Sequence, residues 1–457
     1  MYLPKLHGVR VPHRKNTADA VPERMPTPAT VTIPMSMHVG APAVPVVKVG
    51  DSVKVGQLIA SPGGFVSSPV YASVSGKVKR IDDMLMSTGR FMKAVTIESD
   101  GEQAVFEGIR PPEVTDLKTF LDAVRDSGVV GLGGAGFPTA VKLSVKDLSQ
   151  IEAVIINGAE CEPYVTSDTR TMLDDVDWIA DGIALLQKYL EVRRVVIGIE
   201  ANKPQCVKAM EAMAGGMTGV EVKALPPMYP QGGEKVLIYN TTGRIVPEGK
   251  LPIDAGAVVI NCTTLAAVAK YIKTGMPLVE KVVTVDGSAV REPRNVIAPI
   301  GASMQSLFDF CGGFKSEPKK VLYGGPMMGI AVPNTEFPVM KNTNAILALD
   351  EKDAVLPEPT ACIRCGSCVD ACPLRLMPAA IEAAYNKRNV DKLRALHANL
   401  CMECGCCSFV CPAKRMLVQT NKLAKGLIAA DNAARKAEAD RKAKEAASMP
   451  GKEAAAK

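Results

Sequence analysis

Eight of the 13 cysteines stand in two copies of one spaced run, and this run constrains the chain more than any other feature of its sequence. The first copy reads Cys362-x2-Cys365-x2-Cys368-x3-Cys372-Pro, and the second reads Cys401-x2-Cys404-x2-Cys407-x3-Cys411-Pro. This doubled spacing is typical of proteins that bind two [4Fe–4S] clusters. Three thiolates wrap around one cluster, and the fourth cysteine, followed by proline, reaches the other cluster.

The spacing therefore predicts crossed ligation. One cluster is held by Cys362, Cys365, Cys368 and Cys411. The other is held by Cys401, Cys404, Cys407 and Cys372. The alternative is a pair of zinc sites, since C-x2-C pairs also bind zinc, but zinc gives no reason for a repeated Cys-Pro. Cys406 interrupts the second copy, and we expect it to be a bystander near the cluster. The remaining cysteines are expected to be small apolar fillers: Cys161, Cys206, Cys262 and Cys311.

The composition indicates several domains with buried cores. The chain has 457 residues, of which 47% are hydrophobic, and this length suggests about three domains. A net charge of +6 and an aromatic content of 4% give no argument for nucleic-acid binding. The longest charge-free apolar stretch, residues 255–269, is too short and too polar to span a membrane. The first 16 residues contain no apolar signal core, so we expect a cytosolic protein.

Residues 38–82 have the pattern of short strands joined by hairpins. The segments VKVGDSVKVGQLIA and SPVYASVSGKVKRI alternate β-branched residues with glycine turns. They are similar to the two halves of a lipoyl/biotinyl barrel-sandwich, in which a hairpin lysine carries the prosthetic group. The corresponding hairpin, SPGGFVSSP, has no lysine. We therefore expect a structural or docking role for this sandwich.

Residues 127–143, SGVVGLGGAGFPTAVKL, contain a glycine-rich loop. Its glycines match G-x-G-x-x-G at Gly131, Gly133 and Gly136. A Rossmann assignment fails because Phe137-Pro138 follows the third glycine at once, and the next strand ends in Asn157 instead of an acidic residue. The glycines still allow close approach of the backbone to a phosphate or flavin, and Lys142 can add a positive charge.

Residues 151–272 alternate apolar strands with amphipathic helices, which predicts an α/β domain. Glu160, Glu162 and Asp168 follow the first strand, and a solvated loop is the alternative interpretation of these acids. Strands that run directly into glycine, glutamate or asparagine suit a ligand crevice at the carboxyl ends of the strands.

The order of these motifs resembles a known family. GLGGAGFPTAVKL followed by INGAECEPY is similar to the flavin-binding, NADH-oxidising subunit of respiratory complex I. Residues 282–313 resemble the soluble-ligand-binding β-grasp module. With the sandwich before these motifs and the twin cysteine run after them, residues 38–412 resemble the C subunit family of the Rnf complex, the ion-translocating ferredoxin:NAD oxidoreductase.

The resemblance implies a set of site residues. The flavin-phosphate loop would comprise Gly131, Gly133, Gly134 and Gly136. Phe137 would lie beside the nicotinamide, and Lys142 would serve phosphate or dinucleotide binding. The isoalloxazine and nicotinamide would be lined by Asn157, Glu160 and Glu162. Further matches to the family are Glu234 in a second acidic loop and a flavin-contacting pair, Asn261 and Thr264. Leu132 and Ala159 depart from the complex I pattern, which has arginine and aspartate there.

The predicted fold is a multidomain α/β protein. A barrel-sandwich occupies residues 1–110, and an α/β flavin and NADH domain occupies 111–272. The β-grasp module follows at 273–330, and a ferredoxin-like helical domain with two clusters at 331–425. Residues 314–360 are expected to be a connector. Residues 426–457 form a charged, alanine-rich tail, expected to be a solvated helix or disordered in preference to a membrane-docking segment.

The implied function is electron transfer between NAD(H) and a membrane-bound redox pump. FMN would convert a hydride into single electrons, which the two clusters pass on. The partners would be integral-membrane and ferredoxin-type subunits, and the protein would be peripheral on the cytoplasmic face. One alternative is a cobalamin reductase of bacterial microcompartments, which uses the same modules with the sandwich placed differently. The other is a relay adaptor that has clusters but no flavin, an idea motivated by Leu132 and Ala159.

Overall fold

A computed structural model describes residues 7–448, with side chains described up to residue 444. The described residues divide into two compact units. One is Arg10–Leu356, and the other comprises residues 7–9 and 357–448. The ends of the predicted sandwich and tail, residues 1–6 and 449–457, lie outside the described residues. The boundaries at 110, 272, 330 and 425 stay predictions.

The first part of Arg10–Leu356 is all β. Its strands are β1 (Glu23–Arg24), β2 (Thr30–Pro34), β3 (Val44–Pro45), β4 (Ser52–Val53), β5 (Leu58–Ser61), β6 (Val70–Tyr71), β7 (Gly76–Leu85) and β8 (Phe91–Ser99). They form one sheet in the order β2-β8-β7-β4 and a second in the order β3-β5-β6, while β1 joins a later sheet. Buried β-branched side chains from both sheets, among them Ile33, Ile59 and Ile97, fill one core, as expected for a sandwich. Phe65, in the hairpin without lysine, is 76% exposed.

The next part alternates helices and strands. Its elements are α1 (Leu117–Asp126), α2 (Thr139–Leu143), β9 (Ala153–Gly158), α3 (Ser167–Asp174), α4 (Val176–Tyr189), β10 (Val195–Glu200), α5 (Pro204–Ala214), β11 (Val220–Leu225), α6 (Glu234–Thr242), β12 (Ala257–Asn261) and α7 (Cys262–Thr274). Short 3-10 turns lie at Leu148–Gln150 and Pro252–Ala255. The strands form a parallel sheet in the order β11-β10-β9-β12. Strands β9, β10 and β12 are almost entirely apolar because helices cover both faces of such a sheet.

This strand order creates a topological switch point. From β9 the chain adds β10 and then β11 on one side, and it returns to add β12 on the other side of β9. Connections leaving β9 and β12 thus diverge, and a crevice opens outside their carboxyl ends. Asn261 ends β12, and its direct register partner Asn157 lies one residue before the end of β9. The glycine-rich loop precedes β9 instead of following it, in agreement with the rejection of a Rossmann fingerprint.

A mixed sheet completes this unit. Its elements are β13 (Glu280–Asp286), β14 (Arg294–Pro299), α8 (Met304–Phe310), β15 (Lys320–Tyr323), β16 (Ile330–Val332), β17 (Ala345–Leu349) and α9 (Glu351–Ala354). The order is β1-β14-β13-β17-β15-β16. The expectation that residues 314–360 form a connector is wrong, because β15, β16 and β17 lie within it and β17 pairs with β13 inside the sheet. The strand β17 is buried along its whole length, so it lacks the alternation that marks a half-exposed strand.

The cysteine-rich unit is helical and internally repeated. Its elements are α10 (Ser367–Asp370), α11 (Pro378–Asn386), α12 (Val390–Ala395), a 3-10 turn (Ala398–Leu400), α13 (Cys406–Phe409) and α14 (Leu417–Ser448). The caps of α10 and α13, Gly366 and Gly405, both have φ of 82°. This left-handed geometry at equivalent places turns each cysteine loop into its helix. The helix α14 covers most of the described tail, and its side chains are exposed from residue 432 to residue 444.

The helices do not meet the requirements of a membrane span. Within residues 7–448, no helix combines the length and the apolar character that crossing a bilayer requires.

Candidate functional sites

The glycine-rich loop packs on the start of α7. The N–H of Leu132 donates to Thr264 Oγ1 at 2.9 Å. A Cβ atom at Gly133 would lie 2.6 Å from Asn261 Nδ2, so only glycine permits this approach. Gly136 has a φ of +69°, the left-handed region that glycine adopts without strain. The loop thus brings the predicted glycines next to the predicted pair Asn261 and Thr264.

The start of α7 is also tied to α3. Asn261 caps α7 by accepting from the N–H of Thr264 at 3.1 Å, and its Nδ2 donates to Asp168 at 2.8 Å. Thr263 Oγ1 donates to the other carboxylate oxygen of Asp168 at 2.7 Å. Asp168 is therefore fully engaged in joining two helix starts, which accounts for one of the three acids after β9.

The carboxyl end of β9 packs against the loop before α6. Asn157 Nδ2 donates to Gly232 O at 2.9 Å, and Asn157 Oδ1 accepts from the N–H of Ala159 at 3.1 Å. A Cβ at Gly232 would lie 2.3 Å from Ala159 O, so the two loops touch through their backbones. The N–H of Gly232 also points at Cys161 Sγ, 3.3 Å away, and this buried thiol fills the space as predicted.

Glu160 is buried and bonded to the first turn of α3. Its carboxylate accepts from the N–H of Asp168 at 2.7 Å and from the hydroxyl of Thr169 at 2.8 Å. Burial raises its pKa to about 6, and the nearby Lys15 opposes this rise. The structure thus gives Glu160 a set of protein partners, and its predicted contact with the isoalloxazine stays a prediction.

Glu162 is held by a loop that follows β15. Its carboxylate accepts from the N–H groups of Met328 at 2.8 Å and Met327 at 3.1 Å. Tyr229 Oη lies 3.5 Å away on the other side. A Cβ at Gly325 would lie 2.2 Å from a Glu162 oxygen, so the glycine makes room for the carboxylate. Burial raises the pKa of Glu162, while the two backbone amides lower it.

Lys142 and Glu234 are paired with each other. Lys142 Nζ lies 2.6 Å from a Glu234 oxygen and donates to Val259 O at 2.9 Å. Both side chains are about one-third exposed, at 33% and 38%. Phe137 is half-buried at the end of the glycine-rich loop, where its carbonyl accepts from the N–H of Gly131 at 2.9 Å. Phe137 and Lys142 thus belong to residues 127–143, and Glu234 reaches this segment through its pair with Lys142.

Several residues near the crevice were missed from the sequence. Lys281, on β13, is buried and donates to the carbonyl of Leu132 at 3.2 Å, and burial lowers its pKa to about 7. Lys15, near the amino terminus, donates to carbonyls of the acidic loop. The amides that hold Glu162 lie in residues 323–329, within the expected connector 314–360. Contacts between residues more than 100 positions apart leave no local signal in a single sequence.

The crevice suits a flavin phosphate. Residues 133–135 are exposed, and a Cβ at Gly134 would have no atom within 4 Å, so the loop backbone is open on that side. The loop lies beside the carboxyl ends of β9 and β12, where ligands of open parallel sheets bind. Gln231, only 2% exposed, has an Nε2 donor with no hydrogen-bond partner within residues 7–448. Gln231 precedes Gly232, which contacts Asn157 at the end of β9, and a polar ligand there would satisfy this buried donor.

Cysteines of the two runs lie near one another, and the crossed ligand sets stay a prediction. Burial raises the pKa of the Cys368 thiol, and Cys411 and Cys362 raise it further. Burial likewise raises the pKa of Cys372, with Cys404 and Cys401 adding to the rise. The fourth cysteine of each run thus lies among the cysteines of the other run. The exposed Cys365 has its Sγ 3.4 Å from Ser367 Oγ.

Polar groups already face the sulfurs of the second set. The N–H of Leu376 points at Cys372 Sγ, 3.3 Å away, and the N–H of Glu403 points at Cys401 Sγ at 3.4 Å. Such N–H···S contacts tune cluster potentials. Among the described residues, no three His, Cys, Asp or Glu side chains converge as around a single metal ion. A cube carries its irons on separate corners, and the thiol sets and their donors fit that group. Cys406 is fully buried, and its role as a bystander stays a prediction.

Comparison with known families identifies four segments. The RnfC barrel sandwich hybrid domain matches residues 5–102, and the Nuo51 FMN-binding domain matches residues 124–270. The SLBB domain matches residues 282–331, and the 4Fe-4S dicluster domain matches residues 361–414. The fold class is therefore confirmed, and the iron–sulfur motif is favoured over zinc. The amino-terminal position of the sandwich and the FMN-binding domain weigh against the cobalamin-reductase and flavin-free alternatives.

Full-length relatives extend these matches. The C subunit of the Na+-translocating ferredoxin:NAD+ oxidoreductase complex of Acetobacterium woodii is 45% identical, over 93% of this chain and 96% of the relative. The C subunit of the proton-translocating ferredoxin:NAD+ oxidoreductase complex of Clostridium ljungdahlii is 44% identical, over 80% of this chain and 81% of the relative. A chain of an air-oxidized NAD+-reducing [NiFe]-hydrogenase superimposes with a TM-score of 0.48 at 19% identity, covering 69% of this chain and 63% of that chain.

Proposed function

Because the chain belongs to the C-subunit family of Rnf-type ferredoxin:NAD+ oxidoreductase complexes, we propose that it passes electrons between NAD(H), FMN and two [4Fe–4S] clusters. The chain carries an FMN-binding domain and a 4Fe-4S dicluster domain, the two components that this function requires. FMN is needed because it takes up a hydride as an electron pair and releases electrons one at a time to iron–sulfur clusters.

One observation carries the proposal. The glycine-rich loop, the ends of β9 and β12 and the loop before α6 meet at the switch point of the parallel sheet. These segments are separated by up to about 130 residues in the sequence, and they include the glycines, Asn157, Asn261 and Thr264 that the family resemblance implies for the flavin. A convergence of this kind outside strand carboxyl ends is the usual location of a nucleotide site.

Residues of the crevice would divide the binding tasks. Gly131, Gly133, Gly134 and Gly136 would present backbone to the flavin phosphate. Asn261 and Thr264 fix the shape of that loop from beneath, through the contacts with Leu132 and Gly133. Asn157 would face the flavin ring from the end of β9. Lys142, which is partly exposed and paired with Glu234, would bind a phosphate of the flavin or the dinucleotide.

Glu162 and Phe137 would serve the nicotinamide. A carboxylate accepts up to about four hydrogen bonds, and the three donors within 3.5 Å of Glu162 leave room for an amide N–H of the substrate. Phe137, half-buried at the loop end, would limit the ring to one orientation. Holding the reacting groups in this way is the main contribution that such residues make to hydride transfer.

The cluster ligands are proposed as the two crossed sets. Cys362, Cys365, Cys368 and Cys411 would bind one cluster. Cys401, Cys404, Cys407 and Cys372 would bind the other.

The protein is one subunit of a larger complex, as its relatives are named. Its partners would be integral-membrane and ferredoxin-type subunits, and it would lie on the cytoplasmic face of the membrane as a peripheral subunit. The ferredoxin entry point would then lie on another subunit, because the chain itself offers one flavin site and two clusters.

The direct test is the cofactor content of the purified chain together with its reaction with NADH. We expect about one FMN and about eight iron atoms per chain, and NADH-dependent reduction of ferricyanide. FMN is measured in the supernatant after denaturation, and iron by colorimetry. A chain with full iron content that releases no FMN and does not oxidise NADH would contradict the proposal and favour a cluster-only relay.

A further inference from the structure

We propose that Lys15 is a positioning residue for the acidic loop that carries Glu160 and Glu162. Its Nζ donates to the carbonyls of Glu160 at 2.9 Å and Glu162 at 2.8 Å. It also donates to the carbonyl of Val165. One ammonium thus gathers three carbonyls from within six residues of chain, and this fixes the path of the loop between them.

The charge of Lys15 has a local counterpart. Its side chain is 14% exposed, and Nζ lies 4.0 Å from a carboxylate oxygen of Glu160, which is 3% exposed. The neighbouring buried cation, Lys203, lies 2.7 Å from Glu200 and is engaged there. A buried ammonium persists only where acceptors and an opposite charge surround it. Lys15 therefore balances the negative charge of Glu160 and also donates hydrogen bonds to carbonyls of the acidic loop.

Neighbours of Lys15 hold the same loop. The carbonyl of His13 accepts from the N–H of Tyr164 at 2.9 Å, and Thr17 Oγ1 lies 2.6 Å from Thr166 Oγ1. Tyr164 has a φ of +69°, a strained geometry for a residue other than glycine that persists where surrounding contacts enforce it. The segment 13–17 supplies such contacts on both sides of Lys15.

This inference rests on the proposed function, because it assigns to Lys15 the orientation of Glu162 toward the nicotinamide. The carboxylate of Glu162 is held from one side by the amides of Met327 and Met328. Its backbone is held from the other side by Lys15. If that backbone bond is lost, the side chain can rotate away from the position at which it meets the substrate.

The test compares Lys15→Met and Lys15→Arg with Lys341→Met in the full chain containing FMN and clusters. Lys341 is a matched control, since it is also buried and donates to Ser68 Oγ and to the carbonyls of Pro69 and Gly128, outside the acidic loop. We expect Lys15→Met to raise the KM for NADH about tenfold while kcat changes less than about threefold. Lys15→Arg should keep the KM for NADH close to the wild-type value. Lys341→Met should lower the melting temperature and leave the KM unchanged.

A second measurement does not depend on activity. In the full chain with FMN and clusters, hydrogen–deuterium exchange of peptides covering residues 158–166 should be faster in Lys15→Met and unchanged in Lys341→Met. If Lys15→Met does not fold, Lys15→Gln, which keeps a donor but no charge, replaces it with the same expectations.

The outcomes separate this inference from the proposed function. An unchanged KM in Lys15→Met, or an equal rise in Lys341→Met, overturns the role of Lys15 while wild-type NADH oxidation leaves the function intact. If Lys15→Arg raises the KM for NADH as much as Lys15→Met does, the role assigned to the positive charge of Lys15 is overturned. A wild-type chain with no NADH oxidation contradicts the proposed function itself.

Discussion

The Glu162→Gln substitution tests the assignment of the acidic loop most directly. In the structure the carboxylate accepts from the N–H groups of Met327 and Met328 and faces Tyr229. Glutamine has nearly the same shape, but only its carbonyl oxygen accepts, so one of the two backbone N–H bonds is lost. The change removes the negative charge and replaces one acceptor oxygen with an NH2 group.

The expected loss in kcat/KM is set by the one hydrogen bond that Glu162 can still accept from the substrate. A bond to a charged acceptor contributes about 1.5–3 kcal/mol, and one between neutral groups about 0.5–1.5 kcal/mol. Between the middles of the two ranges the difference is about 1.25 kcal/mol, which corresponds to a loss of about eightfold in kcat/KM for NADH. FMN should be retained, because the glycine-rich loop is shaped by Asn261 and Thr264 and not by Glu162.

The substitution should also change the pH profile. Burial raises the pKa of Glu162, so its carboxyl takes up a proton at a higher pH than an ordinary glutamate. In the wild type, kcat/KM should therefore fall as the pH decreases through this raised pKa. Glu160, whose pKa burial raises to about 6, titrates in both proteins. In the variant, the part of the fall in kcat/KM at low pH that is due to Glu162 should disappear, and the part due to Glu160 should remain.

The assay is ferricyanide reduction over a range of NADH concentrations and pH values, with FMN measured in the same samples. Outright loss of FMN from Glu162→Gln would show that the residue is a flavin ligand. Full activity with the wild-type pH profile would refute the placement of Glu162 at the nicotinamide.

Further predictions concern the clusters, the loop after β15 and the isolated chain. Cys372→Ser should lower the iron content by about half and damage the cluster of the second run, whereas Cys365→Ser should damage that of the first; electron paramagnetic resonance showing loss of the first-run cluster in Cys372→Ser would refute crossed ligation. Gly325→Ala should raise the KM for NADH several-fold with iron and FMN retained, because the added Cβ would lie 2.2 Å from a Glu162 oxygen; unchanged kinetics would show that the carboxylate need not occupy this position. The purified chain should reduce ferricyanide with NADH but should not reduce NAD+ efficiently from ferredoxin, and efficient ferredoxin-dependent reduction measured at 340 nm would show a self-contained enzyme.

The cysteine-rich unit was predictable because its information is local. Each run places three thiolates within seven residues, and Gly366 and Gly405 recur at the same offset to start the following helices. Crossing of the fourth cysteine is a property of the same short motif. The sandwich was predictable for a similar reason, since turns and β-branched residues alternate within a few positions.

The arrangement of the crevice depends on long-range contacts that periodicity does not encode. The pattern of β9 to β12 predicts parallel strands, but their order follows only from which side of β9 receives β12. Strand β17 is apolar throughout, so its sequence does not separate a central strand from any short buried segment. Lys15 lies in a polar stretch of the amino terminus, and its partners are about 145 residues away.

The two departures from the complex I pattern change the packing of the crevice without changing the bonds that shape it. Leu132 is 2% exposed and packs in the main core, while its N–H bonds to Thr264 and its carbonyl to Lys281. Ala159 packs with apolar residues of α6, and its backbone meets Asn157 and Gly232. The loop geometry thus depends on main-chain bonds that any side chain at 132 or 159 can make. Lys281 also donates to the carbonyl of Leu132, the position at which the complex I branch has arginine. Because the bonds that shape the loop involve the main chain at 132 and 159, these departures do not support a loss of flavin binding.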